Sequence, residues 1–293
     1  MIVVPQAFLD NKDTKKLLRD GLNCVVYKEA KADNPNNERY VAAHALTMVL
    51  SGSLSIKTQS GDSLLVRPGQ MVFLPRGLYL ISDIIPDGDI FSALVCFFEA
   101  ELVNEFLDTI QADLVRPSDD KPFIYPQPKQ VTLFNQSMFD IYKTGDAHYN
   151  PITKHKLTEL LHLVVNSEMG DAFKSTLAAT RIRDKMNIGK FMEHNFDKPL
   201  KIEDYAYLTG RSISGFHRDF KRLYNTGPKQ WLIGKRLEKA RKRIEQDQQS
   251  NVTQVAFDAG YENISHFIKA FQKQYGVSPK QFQMNLRKQI TVG

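Results

Sequence analysis

Residues 202–210 read IEDYAYLTG and residues 252–260 read VTQVAFDAG, so one short pattern occurs twice in the last third of the chain. The offset of 50 pairs Ile202 with Val252, Ala206 with Ala256 and Gly210 with Gly260. An offset of 51 then pairs Phe216 with Phe267, Phe220 with Phe271, Tyr224 with Tyr275, and Pro228-Lys229-Gln230 with Pro279-Lys280-Gln281. The second copy has therefore gained one residue in the turn. Each copy predicts a short helix, a tight turn at glycine and a second helix, which is the helix-turn-helix pattern.

The first copy has the residues that this motif requires. Ala206 is small where two helices must cross closely, and Gly210 tolerates the left-handed backbone that ends the first helix. Ser212 is a favourable N-cap for the second helix. The predicted inward positions are Ile202, Tyr205, Leu208, Phe216, Phe220 and Leu223 in the first copy, and Val252, Val255, Phe267, Phe271 and Tyr275 in the second.

The remaining faces of the two second helices supply the candidate DNA contacts. In the first copy these residues are Ser212, Ser214, His217, Arg218 and Lys221, and in the second they are Asn263, Ile264, Ser265, Ile268, Lys269 and Lys273. The two isoleucines are expected to touch thymine methyl groups, and Lys221 and Lys273 to hold phosphates. Two such helices predict that one chain reads two major-groove segments.

A helix is predicted between the copies, from Pro228 to about Gln246. Its apolar residues Ile233, Leu237, Ala240 and Ile244 line one face, and the other faces carry the basic residues Lys235, Arg236, Lys239, Arg241, Lys242 and Arg243, which are expected to contact phosphates. A helix of this length spans about 28 Å. Successive major-groove segments lie about 34 Å apart, so the connector suits two adjacent segments.

Residues 185–287 resemble the DNA-binding domain of the AraC/XylS family of bacterial transcription regulators. The resemblance rests on Gly260-Tyr261, Ser265-His266-Phe267, Lys269-Ala270-Phe271, Tyr275-Gly276-Val277-Ser278-Pro279 with Phe282, and Arg236-Leu237 with Ala240 in the connector. It implies binding to double-stranded promoter DNA, activation of transcription with RNA polymerase as a partner, and a homodimer. Tyr205 replaces a more usual leucine of the family's pattern.

The charge distribution favours nucleic acid as a partner of one domain. From Arg181 onward 22 Lys and Arg face 11 Asp and Glu, whereas the first 180 residues hold 17 against 22. A basic C-terminal third beside an acidic remainder is typical of a DNA-binding domain joined to a domain of another role. Taken alone, a run such as 239–243 is more often only a solvated helix face.

The N-terminal part is predicted to be rich in β-strands. Strands are expected at 41–50, 54–58, 64–67, 71–74, 78–84 and 91–98, separated by Gly, Ser, Asp and Pro turns. Many short strands indicate a small barrel or double sheet. Residues 66–75 resemble the cupin-like sensor domain of the same family. Residues 74–79 are similar to a subgroup that includes activators of type III secretion, in which a partner protein can control the regulator.

Two amphipathic helices are predicted after a proline-rich loop at 117–128. The first carries Val131, Phe134, Met138 and Ile141, and the second, at 152–168, carries Leu157, Leu160, Leu161, Val164 and Val165. They close the open side of the barrel, form a dimer interface, or do both with two different faces. The favoured dimer assignment places Leu157, Leu160, Leu161 and Val164 in a homodimer. Residues 170–179 are interpreted as linker. The predicted domains are 1–120, 121–169 (dimerisation), 170–184 (linker) and 185–287.

The residue types that enzymes and metal sites require are sparse. Cys24 and Cys96 have no metal-ligand spacing and are expected to be buried, and the barrel holds one histidine, His44. His148, His155 and His162 are expected to be solvated. No catalytic motif occurs, so neither an enzyme nor a metal or other cofactor is predicted. No signal peptide or membrane span is seen, which predicts a cytoplasmic protein.

The sequence thus predicts an α+β chain of two domains, a cupin-like β-barrel with a helical hairpin and an all-α domain with two helix-turn-helix units. The first hypothesis is a sequence-specific regulator controlled by a small ligand, for which no binding residue can be assigned. The alternatives are a regulator controlled by a partner protein or by its abundance, and an architectural DNA-binding protein.

Overall fold

The computed structural model of the chain divides into two units, Met1–Ile182 and Arg183–Gly293. It describes residues 1–12, 14–31, 34–58, 61–85, 90–110, 123–142, 151–181 and 186–291.

Unit 1 is built of two β-sheets and a layer of helices. Its strands are β1 (Ile2–Val4), β2 (Lys15–Asp20), β3 (Asn23–Ala30), β4 (Asn34–Val41), β5 (His44–Ser51), β6 (Ser53–Thr58), β7 (Ser63–Val66), β8 (Gln70–Leu74), β9 (Gly77–Ile84), β10 (Phe91–Phe98) and β11 (Phe123–Pro126). Its helices are α1 (Gln6–Asp10), α2 (Ala100–Thr109), α3 (Lys129–Tyr142), α4 (Thr153–Val165) and α5 (Gly170–Ala179). One sheet has the order β1-β4-β9-β6-β7, and the other has the order β11-β8-β5-β10-β3-β2.

Strand β10 shows where the core of unit 1 lies. All eight of its residues are buried, because side chains on both faces are covered. Phe91 and Phe97 point into the apolar core between the sheets. Leu94 and Phe98 pack instead against the helical layer. The predicted β-rich double sheet is confirmed, and a strand buried on both faces explains the apolar run without alternation.

The apolar stripe of α4 faces inward. Leu157, Leu160, Leu161 and Val164 are fully buried in the core that α4 shares with the six-stranded sheet and the neighbouring helices. Assigning these four residues to a dimer interface is therefore wrong, because no part of their side chains is accessible to a second chain. On α3, Val131, Phe134 and Met138 of the apolar series are buried, whereas Ile141 is 61% exposed.

A helix occupies the segment interpreted as linker. Helix α5 buries Phe173 and Leu177 completely, and the ring of Phe173 lies 5.7 Å from that of Tyr125. The linker prediction is wrong for residues 170–179, because one large apolar side chain per turn suffices to hold this Ala-rich helix on the sheet. Residues 123–126 of the predicted proline-rich loop form β11, and residues 117–122 lie outside the described residues.

The two cysteines are buried and unpaired, as predicted, and burial raises the pKa of both thiols. His44 is buried against Phe73, and its Nδ1 accepts a hydrogen bond from the backbone N–H of Arg76. Within the described residues, no group of three His, Cys, Asp or Glu side chains is arranged to hold a metal ion. His148 lies outside these residues. None of the described helices combines the length and the apolar character needed to cross a membrane.

Unit 2 is helical over its described residues. Its helices are α6 (Ile188–Asn195), α7 (Ile202–Leu208), α8 (Ile213–Tyr224), α9 (Pro228–Gln246), α10 (Val252–Asp258), α11 (Ile264–Tyr275) and α12 (Pro279–Thr291). The repeated pattern thus gives two helix-turn-helix pairs, α7–α8 and α10–α11, joined by the predicted connector α9.

Candidate nucleic-acid interface

Both helix-turn-helix turns use the same backbone geometry. Gly210 and Gly260 have φ of +70° and +89°, a backbone conformation that residues other than glycine rarely adopt. The next residue donates its N–H to a carbonyl five residues earlier, from Arg211 to Ala206 at 2.9 Å and from Tyr261 to Ala256 at 3.0 Å. This closes the first helix in each copy. The predicted glycine turns are confirmed.

The second helix of each pair begins at a side-chain cap. Ser212 accepts a hydrogen bond from the N–H of Gly215 at 3.2 Å, and Asn263 accepts one from the N–H of His266 at 3.1 Å. The turn bonds match at an offset of 50 and the caps at 51, so Glu262 is the residue gained in the second turn. The predicted N-cap at Ser212 is confirmed, and a contact of Ser212 or Asn263 with DNA stays a prediction.

Removing either cap should cost unit 2 measurable stability. We expect Ser212→Ala and Asn263→Ala each to lower the free energy of unfolding by about 1 kcal/mol, because one N–H at the helix start loses its partner. Urea unfolding followed by circular dichroism measures this. Ser265→Ala is the control, an exposed position without a cap bond, where the change should stay within about 0.5 kcal/mol. Equal effects at Asn263 and Ser265 would contradict the cap assignment.

The inward faces of α8 and α11 are aromatic and equivalent. Phe216, Phe220, Phe267 and Phe271 are fully buried. The ring of Phe220 lies 5.6 Å from that of Trp231, and the equivalent ring of Phe271 lies 5.7 Å from that of Phe282. The spacing of aromatics therefore predicted both cores correctly.

Leu223, predicted to face the core, is 55% exposed. Its methyl group Cδ2 lies over Gly189 of α6, 3.4 Å from the position that a Cβ atom on residue 189 would occupy. Because glycine has no side chain, residue 189 leaves Leu223 uncovered. The prediction is wrong because α6, which faces the last turn of α8, presents only the backbone of Gly189 to Leu223.

The outer face of α8 is exposed and basic. It presents the predicted residues Ser214, His217, Arg218 and Lys221 to solvent. Two further exposed residues lie on this helix and were missed, Ile213 at its first turn and Arg222 near its end, with 81% of the Arg222 side chain exposed. The sequence argument selected polar residues on the face opposite Phe216, Phe220 and Leu223. It missed Ile213 because that residue is apolar, and Arg222 because it is adjacent to Leu223.

The outer face of α11 is less polar. Ser265, Lys269 and Lys273 are exposed, as is the capping residue Asn263. Ile264 and Ile268 pack partly against the core of this unit and are only half-exposed. The repeat thus has one surface rich in arginine and one whose exposed cations are lysines.

The cations of the connector are engaged within unit 2, and their assignment as phosphate contacts stays a prediction. Lys239 Nζ lies 2.6 Å from Asp197, and Lys235 Nζ lies 3.0 Å from Glu193. Arg236 donates to the carbonyl of Phe196 at 2.7 Å. Further along α9, Arg241, Lys242 and Arg243 pair with Glu245, Glu238 and Asp247 of the same helix or its end. The first three side chains fasten α9 to α6 and to the segment that follows it, and the last three are paired with carboxylates near them in the chain.

The tyrosine at position 205 is explained by the same segment. Its ring is fully buried and its hydroxyl donates to the carbonyl of Asn195 at 2.8 Å. Burial raises its pKa to about 12, and the neighbouring Arg236 opposes this rise. A leucine here would leave the carbonyl at the end of α6 without this donor. Tyrosine keeps the apolar contact of its ring and adds a hydrogen bond to α6.

Comparisons with known proteins divide along the same lines. Residues 205–285 match a family model described as a helix-turn-helix domain, and residues 44–176 match one described as the ExsA N-terminal regulatory domain. The thermoregulatory protein LcrF of Yersinia pestis is 24% identical over 247 residues, which cover 80% of this chain and 87% of LcrF. The virulence regulon transcriptional activator VirF of Yersinia enterocolitica is 24% identical over 245 residues, with the same coverage. Apo ToxT from Vibrio cholerae has a TM-score of 0.45 at 11% identity, over 92% of this chain and 99% of that one.

Proposed function

Since the chain belongs to the AraC/XylS family of transcription regulators, with an ExsA-type N-terminal domain, we propose that it is a sequence-specific activator reading two adjacent major-groove segments. The observation that carries this proposal is the repeated turn. Two helix-turn-helix pairs have equivalent hydrogen bonds, caps and aromatic cores, and each presents an exposed helix face with basic residues.

The connector supports reading at a defined spacing. Trp231, near the start of α9, packs on Phe220 of the first pair. Ile244, near its end, lies in the core of the second pair. Because α9 is one helix of 19 residues, about 28 Å long, it fixes both pairs on a single rigid element. This length suits major-groove segments one helical turn apart.

The exposed residues divide into base contacts and phosphate contacts. Ser214, His217 and Arg218 of α8, with Ser265 of α11, offer hydrogen-bonding groups for base edges. Lys221, Lys269 and Lys273 are exposed and have no ion pair with any described residue, and such an ammonium group suits phosphate. Ile264 and Ile268 retain enough exposure for an apolar contact with thymine.

Control of the regulator is the second part of the proposal. The cavity between the two sheets of unit 1 has a volume of about 30 Å³, room for one or two water molecules. A sugar-sized effector does not fit without opening the core. We therefore favour control by a partner protein or by abundance over control by a small ligand. The homodimer also remains a proposal, and Leu133 and Ile141 are the exposed apolar residues of α3 that suit it.

The test is genome-wide DNA binding in the native host. We expect discrete peaks that share two short elements about one helical turn apart, because the two recognition helices are held on one connector. Arg218→Ala should remove most peaks, since loss of one good base contact costs about 1 to 3 kcal/mol. Lys280→Ala, which removes one positive charge away from α8, is the control and should keep them. Diffuse binding unchanged by Arg218→Ala would instead favour an architectural protein.

A further inference from the structure

Asp219 lies on the outer half of α8, among the residues expected to meet DNA. Its side chain is 15% exposed, and its Oδ2 accepts a hydrogen bond from Nε of Arg211 at 3.1 Å. Its Oδ1 lies 3.7 Å from Nε of Arg218 and 3.5 Å from Nη2 of Arg222. One carboxylate thus faces three guanidinium groups. The bond from Arg211, with the charges of the nearby arginines, holds the pKa of Asp219 below its ordinary value, so it is ionised at neutral pH.

The second pair lacks this carboxylate. The residue equivalent to Asp219 is Ala270, and Lys269 and Lys273 stand where the first pair has Arg218 and Arg222. Neither lysine has a partner among the described residues. The position of Arg211 is taken by Tyr261, whose ring packs on Phe267 at 5.2 Å. The two recognition helices of the chain can therefore be compared directly, because α8 has a carboxylate among its cations and α11 has none at the equivalent position.

The contact atoms suggest what the carboxylate does. Asp219 engages Arg218 through Nε, which leaves both terminal nitrogens free for the paired acceptors O6 and N7 of guanine. It engages Arg222 through a terminal nitrogen, the part of the side chain that would otherwise hold a phosphate oxygen. A phosphate that is to be held by both terminal nitrogens of Arg222 must displace this carboxylate, whereas a base edge can bind Arg218 beside it.

We propose that Asp219 is a positioning residue that directs Arg218 towards bases and withholds Arg222 from phosphates, so that α8 discriminates between sequences instead of binding any duplex. The proposal rests on the proposed DNA-binding function. The side chains of Arg218 and Arg222 are 79% and 81% exposed, and an ion pair with so exposed a partner is worth at most about 1 kcal/mol. The effect is therefore on selectivity and salt dependence more than on folding.

The experiment measures binding of the full chain to a duplex of mixed sequence at several salt concentrations. We expect Asp219→Asn to tighten this non-specific binding and to steepen the slope of log affinity against log salt by about 1, as Arg222 gains a phosphate. Ala270→Asp is the mirror variant, which gives α11 the missing anion, and it should make the slope shallower by about 1. In selection from a random duplex pool, Asp219→Asn should enrich a less defined first element.

Two results would overturn the inference. If Asp219 acts only by fastening Arg211, Asp219→Asn and Arg211→Met will lower the unfolding midpoint alike and leave the slope unchanged. An unchanged slope in a stable Asp219→Asn protein would refute it as well. Failure of the underlying function has a different signature, because the natural protein would then show no salt-dependent binding to any duplex.

Discussion

Phe220→Ala should abolish binding to promoter DNA and lower the free energy of unfolding of unit 2 by about 3 to 5 kcal/mol, the range for emptying a fully buried aromatic site. The ring of Phe220 contacts those of Phe216 at 5.4 Å, Tyr224 at 4.7 Å and Trp231 at 5.6 Å. Its removal therefore detaches α8 from α9. Trp231 is the only tryptophan of the chain, so its fluorescence reports directly on this core.

The repeat supplies the matched variant and the control. Phe271→Ala empties the equivalent site in the second pair, so it should destabilise to a similar degree while perturbing Trp231 less. Leu223→Ala, on the same helix as Phe220 but largely exposed, should change the unfolding free energy by no more than about 0.5 kcal/mol. If urea titrations give Phe220→Ala and Leu223→Ala the same midpoint, the packing described for α8 is incorrect.

The comparison of Phe220 with Leu223 shows what sequence spacing can predict. Periodicity places both residues on the inward side of α8 and so treats them alike. Phe220 is buried by Trp231, and the repeat also predicted Trp231. Leu223 is exposed because it lies over Gly189, on a helix that no sequence pattern indicated. Predictions succeed where a residue and its neighbour belong to one repeating pattern. They fail where the neighbour comes from an unrelated segment.

The same reasoning explains the other corrections. The connector's cations look available in the sequence because their partners, Glu193 and Asp197, lie about 40 positions earlier. The stripe of α4 shows that one face must be buried but does not say whether a sheet or a second chain covers it. Strand ends were predicted closely for β6 to β10, because turn residues mark them locally. The carboxylate at 219 went unremarked because a contact across the turn with Arg211 is not a spacing signal.

Asp83→Ala should be the most damaging single change in unit 1. Its carboxylate is fully buried and accepts hydrogen bonds from both Lys28 and Arg39, the latter at 2.9 Å. Removing it leaves two cations without their anion between the sheets, which costs about 3 to 5 kcal/mol of folding free energy. Thermal unfolding of the full chain measures this, and the transition of unit 1 should shift to lower temperature while the Trp231 signal of unit 2 keeps its midpoint. A midpoint unchanged for unit 1 would mean that solvent reaches the cluster.

Replacing the whole cluster then separates folding from control. Burial and the neighbouring Arg39 lower the pKa of Lys28 to about 8 despite Asp83, so the cluster is short of negative charge. The pKa of Lys28 is thus lower in the folded chain than in the unfolded chain, so the unfolded chain binds more protons between the two values. The free energy of unfolding should therefore increase as pH rises from about 8 to 10.5. This increase should vanish in the triple variant Lys28→Met, Arg39→Met, Asp83→Leu. An apolar replacement of a buried ion cluster is often neutral or stabilising, so the triple variant should be clearly more stable than Asp83→Ala. If it also activates transcription and responds normally in the host, the cluster serves folding alone and control lies on the surface of unit 1, as a protein partner requires. A folded variant that binds DNA but no longer responds would instead place an effector against these three charges.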